Sequence, residues 1–585
     1  MIPPLYTCQI MAQLAERFGR LYGPDTGRQC VKRLNMMIGR YGIGVNAEPH
    51  PPQWDQTDSL LITYGDMVQT EDEAPLATLK TFLDRYVGKA VRHLHLLPFF
   101  PYSSDDGFSV IDYLQVNPDL GRWRHIQALG DEYRLMFDLV LNHVSSQGAW
   151  FQQYAAGVAP FRHYFIEADP ETDLSAVVRP RNHPLLTRTP TRNGERWVWT
   201  TFSEDQVDLD FSNPDVLFEF LDILFFYLSK GARTLRLDAI AYLWKEIGTS
   251  SIHLHQTHEV VKIFRDVADM LSPGALILTE TNVPHAENIS YFGGGSEAHM
   301  VYQFTLPPLL LHGLQTDNAS HLTQWAADLP PPPAGCTFLN FTASHDGIGV
   351  RPLEGILPPE DLEGMLTRVT ERGGFVSTKR NSDGSESPYE LNITYFDALT
   401  RPADDDPDMD IARYLCSQAV PLALQGIPGL YFNSLIAARN NSGGVEFTGL
   451  ARTINREKWQ LSSLESTLAD EQSRESVVFK AYIRLLNLRA QHPAFHPDAS
   501  QTILDLGPDV FALARTAPSD EETIVALHNF TPGTIDVLID QRVPQLAGAN
   551  QWRGLISGAM RGRAGRILRM KPYEVCWLLA PNVEG

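Results

Sequence analysis

The stretch Ala232-Arg233-Thr234-Leu235-Arg236-Leu237-Asp238-Ala239-Ile240 decides the fold. Leu235, Leu237 and Ala239 alternate with Arg236 and Asp238, so on a strand the apolar set faces one side and a guanidinium and a carboxylate face the other. Alone, an Arg-x-Asp reads as an ordinary structural ion pair at a strand end. Its neighbours change that reading. The next apolar run, Ala275-Leu276-Ile277-Leu278-Thr279, ends in Glu280, and His345-Asp346 follows the run Thr337-Phe338-Leu339-Asn340-Phe341. Acids recurring at strand ends predict a site built at one rim of a parallel barrel. The expected fold class is therefore α/β: a (β/α)8 TIM barrel with inserted subdomains and a C-terminal antiparallel β domain.

The 585 residues suffice for a barrel of about 250 residues plus insertions and further domains. With 43% hydrophobic and 20% charged residues, and no apolar run near the roughly 18 residues that span a bilayer, the chain reads as soluble, without a membrane partner. Its start, Met1-Ile2-Pro3-Pro4-Leu5-Tyr6, lacks a basic flank before an apolar core, so no secretory signal is expected. Five scattered cysteines (Cys8, Cys30, Cys336, Cys416, Cys576) form neither a CxxC pair nor a disulfide framework; they fit a reducing cytoplasm and argue against thiolate metal sites. A net charge of −22 argues against nucleic acid as a partner. Small anions remain accessible to a few local arginines. The sequence leaves the oligomeric state open.

Taken in order, residues 1–57 read as a helical N-terminal extension that His50-Pro51-Pro52 breaks. Residues 58–143 hold the first barrel strands, at Leu60–Tyr64, Val91–Leu97 and Leu135–Leu141. An irregular stretch, 144–212, is long enough to be an inserted domain. Residues 213–346 return to the barrel. Asn213 and Pro214 open a helix that Gly231 ends, strand four follows at once, and a helix from His258 to Leu271 is stopped by Ser272-Pro273-Gly274. Met300–Leu306, closed by Pro307-Pro308, and 337–341 are the sixth and seventh strands. A second insertion, 347–410, precedes the last barrel part, 411–497, with a strand at Pro428–Phe432 and a helix near Val477–Gln491. Short alternating runs from 498 to 585 predict the β domain.

Four segments resemble the signature regions of the α-amylase family, glycoside hydrolase family 13: Asp138-Leu139-Val140-Leu141-Asn142-His143, Arg236-Leu237-Asp238, Glu280 and Ser344-His345-Asp346. Further segments resemble its sucrose phosphorylase branch: Leu61-Ile62-Thr63-Tyr64, Leu96-Leu97-Pro98-Phe99-Phe100, Arg179-Pro180-Arg181, Lys245 to Ser250, His345 to Val350, and Ile454-Asn455-Arg456. Within the branch, Thr279 to His285, Ser103 to Ser109 and Tyr389-Glu390-Leu391-Asn392 are most similar to glucosylglycerate phosphorylases. Sucrose phosphorylases carry Glu-Val-His where this chain has Glu280-Thr281-Asn282, which argues against fructose as acceptor.

The resemblance implies Asp238 as nucleophile, Glu280 as general acid/base and Asp346 as stabiliser. Cleaving an acetal with retention independently needs two carboxyl groups about 5 to 5.5 Å apart. Arg236 is expected to keep Asp238 ionised, while Glu280 must hold a proton near neutral pH. His345, His143, Asp105 and Arg456 are expected around the glucose ring, and Phe108, Phe202 and Gln206 along the donor site. Arg181 resembles the branch's phosphate-binding arginine, with Asn282, Lys379 and Arg351 as further candidates for the anion. Asn142 is a calcium ligand in amylases, but the branch does without calcium, so no metal and no cofactor are expected beyond inorganic phosphate as co-substrate. The implied reaction is phosphorolysis of 2-O-α-D-glucosyl-D-glycerate to α-D-glucose 1-phosphate and D-glycerate. Sucrose or sucrose 6'-phosphate phosphorolysis, an α-glucosidase or transglucosidase, and an inactive scaffold remain as alternatives.

Overall fold

The computed structural model describes residues 5–41, 54–272, 274–381, 384–402, 406–539, 541–547, 551–562 and 566–581. The expected break at His50-Pro51-Pro52 and the stop at Pro273 lie outside them.

Eight strands close into a barrel: β1 (Leu60–Thr63), β2 (His93–Leu96), β3 (Arg134–Val140), β4 (Ala232–Asp238), β5 (Leu276–Thr279), β6 (Met300–Tyr302), β7 (Thr337–Asn340) and β8 (Ile427–Tyr431). Each pairs in parallel with its neighbours in chain order, and β1 pairs with β8 to close the ring. The fold is thus a (β/α)8 TIM barrel with a C-terminal antiparallel sheet. Nearly every barrel-strand residue is buried, as expected where helices cover the outside and side chains fill the interior.

The connecting helices follow local sequence chemistry. In the helix Pro214–Ser229, the Asn213 side chain accepts from the Asp215 N–H, and Pro214 occupies the first turn, where no N–H is needed. The same physics corrects one expectation. Pro307-Pro308 do not close a strand running to Leu306: β6 ends at Tyr302, and the two prolines open the helix Leu306–Thr316. A proline pair is compatible with a first helical turn, so as a stop signal it was misread.

The N-terminal helices Leu5–Tyr22 and Pro24–Tyr41 lie against the barrel's own helices. Arg17 bonds Asp266 at 2.6 Å in the helix His255–Leu271, and Phe18 stacks on Phe218 with ring centres 5.8 Å apart. Between β3 and β4, the chain forms a short antiparallel pair, His143–Ser145 with Gln206–Asp208, and a hairpin, Leu186–Thr191 with Gly194–Trp199. Between β7 and β8 lie a helix, Pro359–Glu371, and a three-stranded sheet of Ile348–Gly349, Glu386–Asn392 and Phe375–Arg380. Both excursions leave from the carboxyl ends of barrel strands, so they rise around one rim. Among the described residues the C-terminal sheet has six strands, starting at Ser500–Asp505 and including Val510–Thr516, Thr523–Asn529 and Val575–Leu579.

Candidate active site

The site grows from a polar chain inside the barrel. On β4, Arg236 is 2% exposed, and its Nη1 donates at 2.6 Å both to Asp138 Oδ1 on β3 and to Asp238 Oδ1. Asp138 Oδ2 lies 2.7 Å from Nε2 of His95 on β2. Three adjacent strands are thereby tied through buried charge. Removing one member of such a set leaves its partner unpaired in the interior, at a cost of about 3–5 kcal/mol.

At the end of β4 the backbone turns abruptly: Ala239 has φ +48° and ψ +30°, a left-handed conformation that costs a residue with a Cβ about 1 kcal/mol or more. That turn aims the Ala239 N–H at Glu280 Oε2, 2.9 Å away. Glu280 is itself placed by its own N–H, which donates to Leu237 O at 3.1 Å. Glu280 Oε2 also lies 3.9 Å from Arg236 Nη2, so one guanidinium borders both carboxyl groups.

Burial raises the pKa of Asp238; Arg236 opposes it, and the charges of Glu280 and Asp138 add to it, leaving Asp238 at about 8. Burial likewise raises Glu280, with Arg236 opposing and Asp346 adding to the rise. Arg236 therefore does not by itself keep Asp238 ionised, as the sequence suggested, because its charge is divided with Asp138. The two carboxyls titrate as a pair that holds one proton near neutrality. The direct 2.6 Å bond favours the negative charge on Asp238 and the proton on Glu280.

Asp346 is the opposite case. Burial would raise its pKa, but the Arg452 and Arg456 guanidinium groups hold it well below the ordinary carboxylate range. Arg452 Nη1 lies 2.6 Å from Asp346 Oδ1, and its other nitrogens bond Glu390 at 2.6 and 2.9 Å. Burial keeps His345 neutral, stacked on Phe108 with ring centres 4.9 Å apart and planes 5° off parallel.

These groups line one cleft with about 680 Å³ of empty space, its open mouth included. The cleft brings together Asp105, Phe108, His143, Arg181, Phe202, Gln206, Asp238, Glu280, Asn282, His345 and Asp346. Arg236 stands behind Asp238. Arg456 is also behind the wall, donating from Nε to His345 O at 2.8 Å. Its ion pair is with Asp106 at 2.7 Å, whereas Asp105, expected with it around the glucose ring, is 4.0 Å away and accepts from Gln206 Nε2 at 3.2 Å. Asp105 and Asp106 both have positive φ, +54° and +48°, so the loop that presents them is strained. His143 is fixed by Nε2 against Phe108 O at 3.0 Å.

Arg181 reaches the cleft from the stretch between β3 and β4, its guanidinium 5.9 Å from the Phe202 ring centre and 5.6 Å from that of Tyr389. Asn282 Oδ1 is buried with no hydrogen-bond partner, pressed close to Gly349, where a Cβ would fall 2.3 Å from that oxygen. Lys379 and Arg351 do not line the cleft. Tyr242, Thr281, Phe304, Tyr389, Glu390 and Arg452 do, and sequence reasoning had given them no role. Arg452 was within reach of it: the 3-10 helix Ala451–Asn455 carries it one turn ahead of Arg456.

The residues around Asn142 do not fit a calcium ion. Lys245 Nζ bonds Asn142 Oδ1 at 2.6 Å and Asp208 Oδ2 at 2.7 Å, so a side-chain ammonium holds the oxygens that a cation would need. No other cluster suited to a metal occurs among the described residues.

Residues 86–327 match the alpha amylase catalytic domain. Over 98% of its length the chain is 46% identical to the glucosylglycerate phosphorylase of Spirochaeta thermophila, covering 99% of that protein. It is 43% identical to the glucosylglycerate phosphorylase of Escherichia coli, over 90% of this chain and 92% of the relative. Among solved structures, sucrose 6F-phosphate phosphorylase from Thermoanaerobacter thermosaccharolyticum superposes with a TM-score of 0.70 at 25% identity, over 81% of this chain and 94% of that one. With a full-length relationship at this identity and a cleft of acids at the barrel rim, the chain belongs to the glucosylglycerate phosphorylase family, built on an α-amylase catalytic barrel.

Proposed function

We propose that the protein is a retaining phosphorylase that converts 2-O-α-D-glucosyl-D-glycerate and phosphate to α-D-glucose 1-phosphate and D-glycerate. The observation that carries the reading is the pairing, in one cleft beside one guanidinium, of two buried carboxyl groups, Asp238 bonded directly to Arg236 at 2.6 Å and Glu280 3.9 Å from it. Asp238 attacks the anomeric carbon while Glu280 gives its proton to the departing glycerate oxygen, leaving a glucosyl ester on Asp238 and an ionised Glu280. Phosphate then attacks the same carbon, Glu280 takes up the proton of the incoming phosphate hydroxyl, and Asp238 is released. Two inversions give net retention.

Asp346, held ionised by Arg452, is suited to grip ring hydroxyls and to stabilise positive charge as the oxocarbenium-like transition state forms. Phe108, on which His345 stacks, together with Phe202, gives the cleft an apolar side that disfavours water as the second nucleophile. Arg181 makes no charged pair among the described residues and presents a fork suited to a carboxylate or a phosphate. Glycerate leaves before phosphate enters, so one arginine serves both anions in turn. Inserts 144–212 and 347–410 are in this reading the walls of the acceptor side. The substrates are small molecules, and no helix among the described residues is long and apolar enough to cross a membrane.

The test is incubation with phosphate and a panel of α-glucosides, with assay of glucose 1-phosphate. Glucosylglycerate is expected to be consumed fastest. Consumption of sucrose or sucrose 6'-phosphate alone would overturn the acceptor assignment, and glucose release at an equal rate without phosphate would make the protein a hydrolase.

A further inference from the structure

Two residues past Glu280, Asn282 stands half-buried in the wall of the cleft. The backbone beside it is fixed: Thr281 Oγ1 donates to Asn288 Oδ1 at 2.7 Å, and Val283 N donates to Thr281 O at 3.0 Å. Its amide is held differently, for Asn282 Oδ1 has no hydrogen-bond partner. Packing therefore orients the amide, and its close packing is on Gly349.

Gly349 belongs to the inserted strand Ile348–Gly349 and pairs with Glu390 across the sheet. Ile348 is 5% exposed and part of the core, so strand alternation turns Gly347 and Gly349 to the opposite face. At Gly347 a Cβ would fall 2.5 Å from Glu390 Cγ, and at Gly349 it would fall 2.3, 2.4 and 2.6 Å from Oδ1, Nδ2 and Cγ of Asn282. Three amide atoms at nearly one distance place the amide flat over the glycine, with its hydrogen-bonding edge free of that contact. Neither glycine has its φ in the left-handed region. What they supply is space, not backbone freedom.

We propose that Gly349 is a positioning residue for the acceptor: the absent Cβ is the seat of the Asn282 amide, and it sets how that amide meets the molecule leaving from or arriving at Glu280. The proposal deepens the acceptor side of the reaction proposed above and rests on it. Ordinary contact begins near 3.4 Å, so a methyl group at position 349 drives the amide about 1 Å toward the cleft. A misplacement of that size costs up to about 100-fold where the reaction depends on alignment. Asp238 and Asp346 are held separately, by Arg236 and Arg452, so the glucosyl-donor half is expected to survive.

A double-mutant cycle of Gly349→Ala, Asn282→Ala and the pair tests this, with thermal melts on each. The donor half is read as the burst of fluoride from α-D-glucosyl fluoride, whose leaving group is too small to use the acceptor side. The acceptor half is read as KM for D-glycerate, or for whichever acceptor the parent prefers, so that a wrong acceptor does not imitate a wrong placement. Gly349→Ala is expected to keep the burst within about threefold and to raise the acceptor KM about 10- to 100-fold. In the Asn282→Ala background the same substitution is expected to change KM less than about twofold, because no amide is left to displace. An equal rise in both backgrounds, no rise in either, or a burst that falls as far as acceptor use would overturn the proposal. So would loss of folding in both backgrounds, whereas a Gly349→Ala chain that folds only when Asn282→Ala accompanies it bears the contact out.

Discussion

Arg452 offers the most demanding perturbation, because it touches two acids of the cleft and owes nothing to a recognised motif. Its three bonds, at 2.6 Å to Asp346 and at 2.6 and 2.9 Å to Glu390, hold both carboxylates in fixed orientations. In Arg452→Met the stem is kept and the fork is lost. A charge-assisted hydrogen bond contributes about 1.5–3 kcal/mol, so losing the one that orients Asp346 lowers kcat/KM about 10- to 150-fold. A second signature follows from charge. Burial raises the pKa of Asp346, and Arg452 is the strongest of the groups opposing it. Without that guanidinium the pKa climbs, and because ionised Asp346 is the working form in the proposed mechanism, the acidic limb of the kcat profile is expected to move to higher pH. Arg452→Lys retains the charge but cannot hold both acids, so it is expected to recover the pH limb more than the rate. Phosphorolysis of glucosylglycerate followed from acid to neutral pH, with thermal melts confirming folding, reads all of this. A folded Arg452→Met enzyme within twofold of the parent, with an unmoved acidic limb, would refute the reasoning.

Other perturbations separate the remaining roles. Arg181→Leu is expected to raise KM for phosphate and for glycerate in the reverse direction about 10-fold or more, with a smaller effect on the glucosyl-transfer step measured in a single turnover. Between the unfolded carboxyl pKa, about 4, and the raised value of about 8 at which the buried Asp238–Glu280 pair gives up its shared proton, the native pair retains one proton that the unfolded chain has lost. Its burial thus favours the fold fully below the unfolded value, and that contribution is lost as pH rises through the folded one. Asp238→Asn should remove this slope, at most about 1.4 kcal/mol per pH unit, so its melting advantage grows toward alkaline pH while turnover is abolished. Chelators and added calcium are expected to leave the wild-type rate unchanged. Lys245→Met should destabilise the protein by about 3–5 kcal/mol, since it leaves buried Asp208 with its hydrogen bonds from Thr201 and Asn142 but no counter-charge, and a melting curve equal to the parent's would contradict the pairing.

What was legible in the chain and what was not divides along physical lines. All eight barrel strands announced themselves because parallel strands buried on both faces read as apolar runs, and the acids at their carboxyl ends stood out against them. The Asp238, Glu280 and Asp346 rim was legible for the same reason. Long-range partners were less so. Glu390 lies on an inserted strand and Arg452 on a single helical turn, with no hydrophobic period to place either, so their pairing across 62 residues is a product of the fold. The pairing of Arg456 with Asp106 depends on two successive left-handed residues, a conformation that no side-chain pattern advertises. Pro307-Pro308 shows the converse, a strong local signal with two compatible meanings. The shared protonation of Asp238 and Glu280 required knowing that Arg236 divides its charge between two aspartates on neighbouring strands.

The central claim is a glucosyl ester on Asp238, and it can be measured directly. Glucosylglycerate turned over without phosphate, quenched in acid and digested for mass spectrometry, is expected to leave one anhydroglucose on the peptide carrying Asp238, with α-glucose 1-phosphate forming once phosphate is restored. A label on Glu280 instead, or a β-configured product, would contradict the account.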